Sequence, residues 1–341
     1  MTKTALLKRV FNNEKADRTP VGFWFHHVED EMEDGFKNPT IFDLNIEGHK
    51  KFYTEFKPDF VKIMTDGFFV YPDEAFQKAE KATDLWNVRS IGEDCLWIEK
   101  QVAFAKTLAD VWGDEVLSFY NIFAPAALFR FARGNQDGVE KTLADFIDED
   151  EEAVGYAFNV VAKDTAALVR RIIHEGGVSG IYYSTQDING RERSGQTRRR
   201  LVEVHDITVL NAANSVSQYN ILHICGYAGH RNNLVHFADY PAQIVNWAVT
   251  VEGVSLGQGK KLFKNKPVIG GFDNTKNGVL YRGSREKIEA ETERLLAESG
   301  VTGVILGADC TVPRDIDIRR LQWTRDKAHC KIKSPIPPVN F

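Results

Sequence analysis

Cysteine is scarce in this chain, 4 residues in 341. A chain this long can build its own core without covalent staples. Cys95, Cys225, Cys310 and Cys330 are therefore expected to be free thiols of the cytoplasm rather than a disulfide framework. No run of about 18 apolar residues occurs, so no helix is expected to span a bilayer. The segment Met1 to Arg9 is charged again at Lys3, Lys8 and Arg9 before an apolar signal core can form. Charge of one sign is missing too: 43 Lys and Arg stand against 48 Asp and Glu, a net −5. That balance gives no reason to expect nucleic acid or an anionic membrane as partner. The glycine-rich phosphate-binding fingerprints are absent, so a nucleotide fold has no positive support.

What is present is a core-forming composition, 43% hydrophobic and 11% aromatic, which excludes low-apolar disorder. Apolar strand patterns alternate with amphipathic helix patterns. Strands are expected at 21–26, 59–64, 116–123, 180–184, 219–225, 243–247, 267–272 and 302–306. Several are short and apolar on both faces, as strands of a parallel sheet are. Helices are expected over 151–175 and 284–299, the second with a Ser284 cap and a Gly300 stop. Eight such alternations favour an α/β fold of the (β/α)8 TIM-barrel type, one domain over 1–341, rather than an open doubly wound sheet. The stretch 66–112 reads as an extended excursion over the barrel mouth. The proline-rich tail at 334–338 reads as an extended surface segment.

In a barrel, chemistry gathers at the carboxyl ends of the strands. Those ends offer His26, His27, Glu29 and Asp30, then Asp66, Asn121, Gln186 and Asp187. His223 and Cys225, Trp247, Asp273 and Asn274, and Asp309 and Cys310 follow. The sharpest signal is His223-Ile224-Cys225. Residues i and i+2 of a strand share a face, so imidazole and thiolate can converge on one ion. Cys310, 85 residues on at the end of the last strand, is placed to supply a third ligand. Zinc takes His nitrogen and Cys sulfur in tetrahedral sites, and catalytic sites keep one position open. The plainer alternative is a hydrogen-bonded core histidine beside two small buried hydrophobes.

Other candidates are weaker. Asp66, Asp187 and Asp273 are placed to orient substrate or move a proton, although strand-end aspartates also cap helices. His26 and His27 alternate faces, so at most one points into the mouth. His26 and Trp247 are candidates for contact with a cofactor. Arg191, Arg193, Arg198, Arg199 and Arg200 form a basic cluster better suited to a solvated loop or subunit contact than to an anionic ligand. Trp24, Phe68, Phe69, Tyr71, Phe119 and Phe123 read mainly as core, with some suited to lining a flat apolar pocket.

These stretches resemble the uroporphyrinogen decarboxylase superfamily, a (β/α)8-barrel family. The likeness is carried by Arg18-Thr19-Pro20-Val21, by Gly180 to Asp187, by Ile221 to Gly226, by Pro267 to Asp273 and by Gly303 to Pro313. It runs in order from about residue 5 to residue 329. The resemblance implies one of two chemistries. The decarboxylases use a metal-free cleft in which arginines after the first strand hold a polycarboxylate tetrapyrrole, helped by an aspartate, a tyrosine and a late histidine. Asp66 and Tyr182 or Tyr183 match the aspartate and tyrosine. Here, however, His26-His27-Val28-Glu29-Asp30 carries acids instead of arginine, which would repel such a substrate. The other branch is similar to the corrinoid-linked thiol methyltransferases, whose zinc motif is His-x-Cys with a late cysteine. His223, Cys225 and Cys310 match that motif residue by residue.

The expected function is therefore a zinc-dependent methyltransferase moving a methyl group between a corrinoid and a thiol, the corrinoid carried by a partner protein. Catalytic candidates are Asp66, Tyr183, Asp187 and Asp273, of which Asp187 and Asp273, with His26, are also candidates for a fourth metal ligand. The alternatives are a tetrapyrrole decarboxylase using Asp66 and Tyr183, or a non-catalytic corrinoid- or porphyrin-binding barrel. Assembly as a homodimer stays open.

Overall fold

Short runs of β-branched and aromatic residues form seven strands in the computed structural model, which describes residues 1–133, 141–187 and 195–330. They are β1 Phe60–Ile63, β2 Leu117–Phe123, β3 Gly180–Thr185, β4 Ile221–Ile224, β5 Ile244–Trp247, β6 Val268–Phe272 and β7 Val304–Ala308. Each pairs in parallel with the next, so sheet order equals chain order. All seven lie within two residues of their expected bounds. Arg191, Arg193 and the 334–338 tail lie outside the described residues.

The strand expected at 21–26 is corrected by the structure to one bridge, Val21 to Leu306. Side-chain carboxylates take backbone donors at both ends of the stretch: Asp59 accepts the Val21 N–H at 2.9 Å, and Asp66 the N–H of His27, just past it, at 2.9 Å. Residues 20–22 nevertheless touch both sheet edges. Gly22 N–H donates to the Leu306 carbonyl, and Leu306 N–H to that of Pro20. On the other side Asp59 N–H donates to the Val21 carbonyl. The sheet is thus curled on itself, consistent with a TIM barrel.

Helices sit where caps and periodicity place them. Arg285–Ser299 starts at Ser284, whose side chain accepts from the Lys287 N–H, and stops at Gly300 with φ 75°. Glu151–His174 starts at Asp150 in the same way. Of the stretch 66–112, Phe69 and Val70 reach the mouth. Leu96–Trp112 is instead a regular helix packed against Thr40–Phe56 and Glu151–His174. Among the described residues no helix is long and apolar enough to cross a membrane.

The period of two divides the strands between two environments. The outward set, including Val61, Ile122, Tyr183, Leu222, Val245, Trp247 and Leu306, packs under the helices. The inward set is itself layered. Phe60, Phe119, Tyr182, Ile221, Ile244, Ile269 and Ile305 form an apolar plug, sealed by Leu6, Leu7, Val10 and Phe11 of the helix Lys3–Phe11. One step further along the strands the inward residues turn polar: Lys62, Asn121, Ser184, His223 and Asn246, all at most 6% exposed. A polar layer above an apolar plug is where a site can sit.

Candidate metal centre

His223 and Cys225 leave β4 on its inward face, and Cys310 arrives two residues after β7. Their donor atoms all lie within 4.8 Å of one another, and among the described residues no other such group of metal-ligating side chains occurs. The Cys225 and Cys310 sulfurs are 3.9 Å apart, too far for a disulfide. Cys310 Sγ lies 3.5 Å from His223 Nε2. Tetrahedral zinc, with bonds of about 2.3 Å to sulfur and about 2.1 Å to nitrogen, requires roughly 3.8 Å between sulfurs and roughly 3.6 Å from sulfur to nitrogen. The residues fit that ion. Without it, one proton suits the sulfur pair best. Contact with Cys310, then burial, pushes the Cys225 thiol up, while the hydrogen bond from Cys225 holds Cys310 down.

The histidine is oriented from behind. Its Nδ1 donates to Asn246 Oδ1, which also accepts the Tyr182 hydroxyl at 2.9 Å. Asn246 Nδ2 donates to the Ile269 carbonyl at 2.9 Å, so the network assigns the amide orientation and leaves the Nε2 lone pair facing the sulfurs. Asn246 has room because residue 270 is glycine. Gly270 has φ 136°, and a Cβ there would stand 3.2 Å from Asn246 Nδ2.

The three residues open onto a cavity of about 470 Å³, within the small-molecule range. Lys62 and Arg130 are its only cationic lysine or arginine side chains among the described residues; Asp30 and Glu31 are its acids. Lys62 Nζ sits 4.2 Å from the Tyr182 ring centre and 5.0 Å from that of Trp24. Burial pulls its pKa down to about 8, against the pull of Cys310, Cys225 and Asp66. His26 lines the cavity, with Nδ1 at 2.7 Å from Asp66 Oδ1. Burial lowers its pKa, but the Asp66 hydrogen bond and charge outweigh that and leave it raised. Asp66, fully buried, reaches the cavity only through His26. His27 turns away and packs on His49 at 4.1 Å.

Other candidates are placed elsewhere. Tyr183 faces outward and donates to Asp206 at 2.7 Å. Trp247 is buried under the helices, its Nε1 donating to the Val254 carbonyl; its ring fills the space a Cβ on Gly259 would occupy. Asp187 is held by Arg198 at 2.6 Å and by the Asn233 N–H at 2.8 Å. Asp273 caps its own turn through the Thr275 N–H at 2.7 Å. None of these four lines the cavity, and neither Asp187, Asp273 nor His26 joins the metal-ligating group. Of the basic cluster, Arg198, Arg199 and Arg200 are committed to ion pairs with Asp187, Glu203 and Glu151. The acids at the mouth are Asp30 and Glu31; Glu29 is exposed and outside the lining. Sequence reasoning missed Lys62, Arg130 and Asn246. For Lys62 and Asn246 a signal existed, since a polar residue at an inward position of an apolar strand is out of place unless it serves the interior.

Comparison with known proteins bears on this geometry. Residues 87–330 match the family model for uroporphyrinogen decarboxylase (URO-D). No curated protein matches the sequence. Among solved structures, a methyltransferase from Methanosarcina mazei superposes with a TM-score of 0.69 at 15% identity, over 96% of this chain and 98% of that one. A B12-independent methionine synthase from a Shewanella species superposes with a TM-score of 0.50 at 12% identity, over 91% and 94%. At these identities the likeness is one of fold.

Proposed function

The chain belongs to the uroporphyrinogen decarboxylase family, and from that premise we propose that it is a zinc-dependent methyltransferase. It moves a methyl group between a corrinoid on a partner protein and a small thiol, working as one barrel domain over 1–341 in the cytoplasm, where thiol ligands stay reduced. One observation carries the reading: Cys310 stands from Cys225 and from His223 at the separations a tetrahedral zinc needs, with all three donors within 4.8 Å of one another and facing a cavity. Zinc bound there would act as a Lewis acid that keeps a substrate thiol deprotonated at neutral pH.

The chain's own residues supply the rest. Asn246 holds the His223 tautomer. His26, with its Nδ1 proton committed to Asp66, offers Nε2 to accept the proton that an arriving thiol gives up. Lys62 places a positive charge among the sulfurs, offsetting charge that two thiolates and a substrate sulfur would accumulate. The substrate sulfur so held would be the nucleophile toward the methyl carbon. A corrinoid would supply the methyl group and keep the electron pair of the bond it gives up as the carbon–sulfur bond is made. Decarboxylation of uroporphyrinogen fits less well, because two cations beside two acids do not match eight carboxylates.

The test is metal analysis of protein purified without added metal, followed by transfer from free methylcobalamin to a panel of thiols. We expect one zinc per chain, lost together with transfer in the Cys225→Ala/Cys310→Ala variant. Metal-free protein that converts uroporphyrinogen would overturn the assignment.

A further inference from the structure

Cys225 and Cys310 both line the cavity, both are partly exposed, and their sulfurs stand 3.9 Å apart. The other two cysteines lie elsewhere. Cys95 precedes the helix Leu96–Trp112, Cys330 follows the helix Ile318–His329, and neither lines the cavity. A disulfide requires sulfurs about 2.05 Å apart. From 3.9 Å, each sulfur has to move by less than about 1 Å, which about 30° of rotation at each Cα–Cβ bond supplies. Both cysteines sit just past a strand end, β4 and β7, so the ladders need not move.

The surroundings suit oxidation of the pair. A cavity of about 470 Å³ admits an oxidant as small as hydrogen peroxide. Lys62, in the same lining, places positive charge near both sulfurs and favours the thiolate, the form that reacts. One thiolate attacks a peroxide oxygen and the oxygen–oxygen bond breaks. The sulfur becomes a sulfenic acid, and the departing hydroxide takes up the proton the thiol released, giving water. The neighbouring thiol then attacks that sulfur, its sulfur–oxygen bond breaks, and a second water leaves. Two thiols and one peroxide thus give one disulfide and two waters; the sulfurs lose two electrons and the peroxide gains them.

We propose that Cys225 and Cys310 are a peroxide-sensitive pair that closes into a disulfide and, while closed, withdraws two of the three side chains able to hold a metal. His223 alone then remains, so the site stays without an ion until a thiol reductant reopens the bond. A second cysteine this near also keeps the damage reversible. The sulfenic acid meets a thiol before another peroxide can carry it to sulfinic acid. The bond itself stands on the two cysteines; only the loss of metal rests on the metal reading above.

The experiment adds an equimolar amount of hydrogen peroxide to the full-length, metal-free protein. Remaining thiols are then alkylated in denaturant, and the digest is read by mass spectrometry. Titratable thiols are expected to fall from four to two, with the Cys225 and Cys310 peptides joined and Cys95 and Cys330 alkylated. Cobalt(II) added to the oxidised protein should give no sulfur-ligation spectrum until dithiothreitol restores the thiols. Cys95→Ser/Cys330→Ser should form the same link at the wild-type rate. Under excess peroxide, dithiothreitol should recover Cys310 as a thiol in wild type, whereas in Cys225→Ser it should end as sulfinic acid. No link in wild type, a link from either cysteine to Cys95 or Cys330, or equal recovery of Cys310 in Cys225→Ser overturns the proposal. If the reduced protein binds neither zinc nor cobalt(II), the metal reading fails, and the Cys225–Cys310 link in metal-free protein still upholds the pair. Zinc-loaded protein that releases its zinc to peroxide without forming the link overturns the pair and leaves the metal reading standing.

Discussion

Tyr182 and Tyr183 are neighbours on β3, both fully buried, yet they belong to opposite kinds of polar cluster. Tyr183 faces outward into a closed network. Asp206 accepts from Tyr183, Thr185 and Tyr240, and Arg198 links Tyr240 to Asp187. Tyr182 faces inward into an open one. Its hydroxyl and His223 share Asn246, but beyond them two sulfurs, Lys62 and the Arg130 Nη1 have no complete set of protein partners. A closed cluster holds the fold, because every group that left water has been compensated. An open cluster points to something the chain receives. Burial and polarity alone do not tell the two apart; satisfaction does.

That contrast can be broken in three ways. The largest effect is expected at Asp206. Asp206→Ala strands three buried hydroxyls and should cost about 3 kcal/mol of stability, while folded protein keeps the proposed zinc; loss of that metal without loss of stability would dissolve the distinction. The same carboxylate has a pH signature. Burial outweighs its hydrogen bonds and raises its pKa to about 6. The native state therefore binds that proton more tightly than the unfolded chain does. Its stability should fall as pH rises from about 4 to about 6, by up to ~3 kcal/mol, and be flat above. Urea midpoints should show that slope in wild type, and Asp206→Asn should remove it.

A smaller effect is expected on the inward side. Asn246→Leu leaves the His223 ring unoriented and should weaken zinc binding about tenfold to hundredfold. Competition with a chromophoric chelator measures it. Unchanged affinity would mean that the ligands orient themselves. Smallest is Tyr183→Phe, expected to cost about 1 kcal/mol by denaturant titration with thiol binding and methyl transfer intact. A loss of transfer at unchanged stability would return Tyr183 to the catalytic set.

Much of the fold was legible because a strand buried on both faces has to be apolar along its length, as Val268–Phe272 and Val304–Ala308 are. The first expected strand misled because its residues look extended, while the backbone donor of its first residue, Val21, is taken by Asp59, 38 residues away, and that of His27 just past it by Asp66. The site was half legible. His-x-Cys on a strand gives its own geometry through the period of two, and Cys310 follows from its place after the last strand. Trp247 and Tyr183 were misplaced for one shared reason: a residue at a strand end faces either the mouth or the helices, and a slip of one residue exchanges them. Arg130 was invisible, since an arginine in a helix after a strand is ordinarily a surface residue.

By itself, the sequence determined the repeating strand and helix order, the parallel pairing that such alternation requires, and the chemical character of three side chains able to hold a metal. These depend on local periodicity and residue type, which the chain carries wherever it goes. Only the tertiary structure decided which polar groups were left open. Whether Asp66 is a base or a support for His26, and whether Arg198 or Arg130 is the free cation, depends on partners brought from distant parts of the chain. A hydrogen bond satisfied across the fold leaves no mark on the residues that lie beside it in sequence.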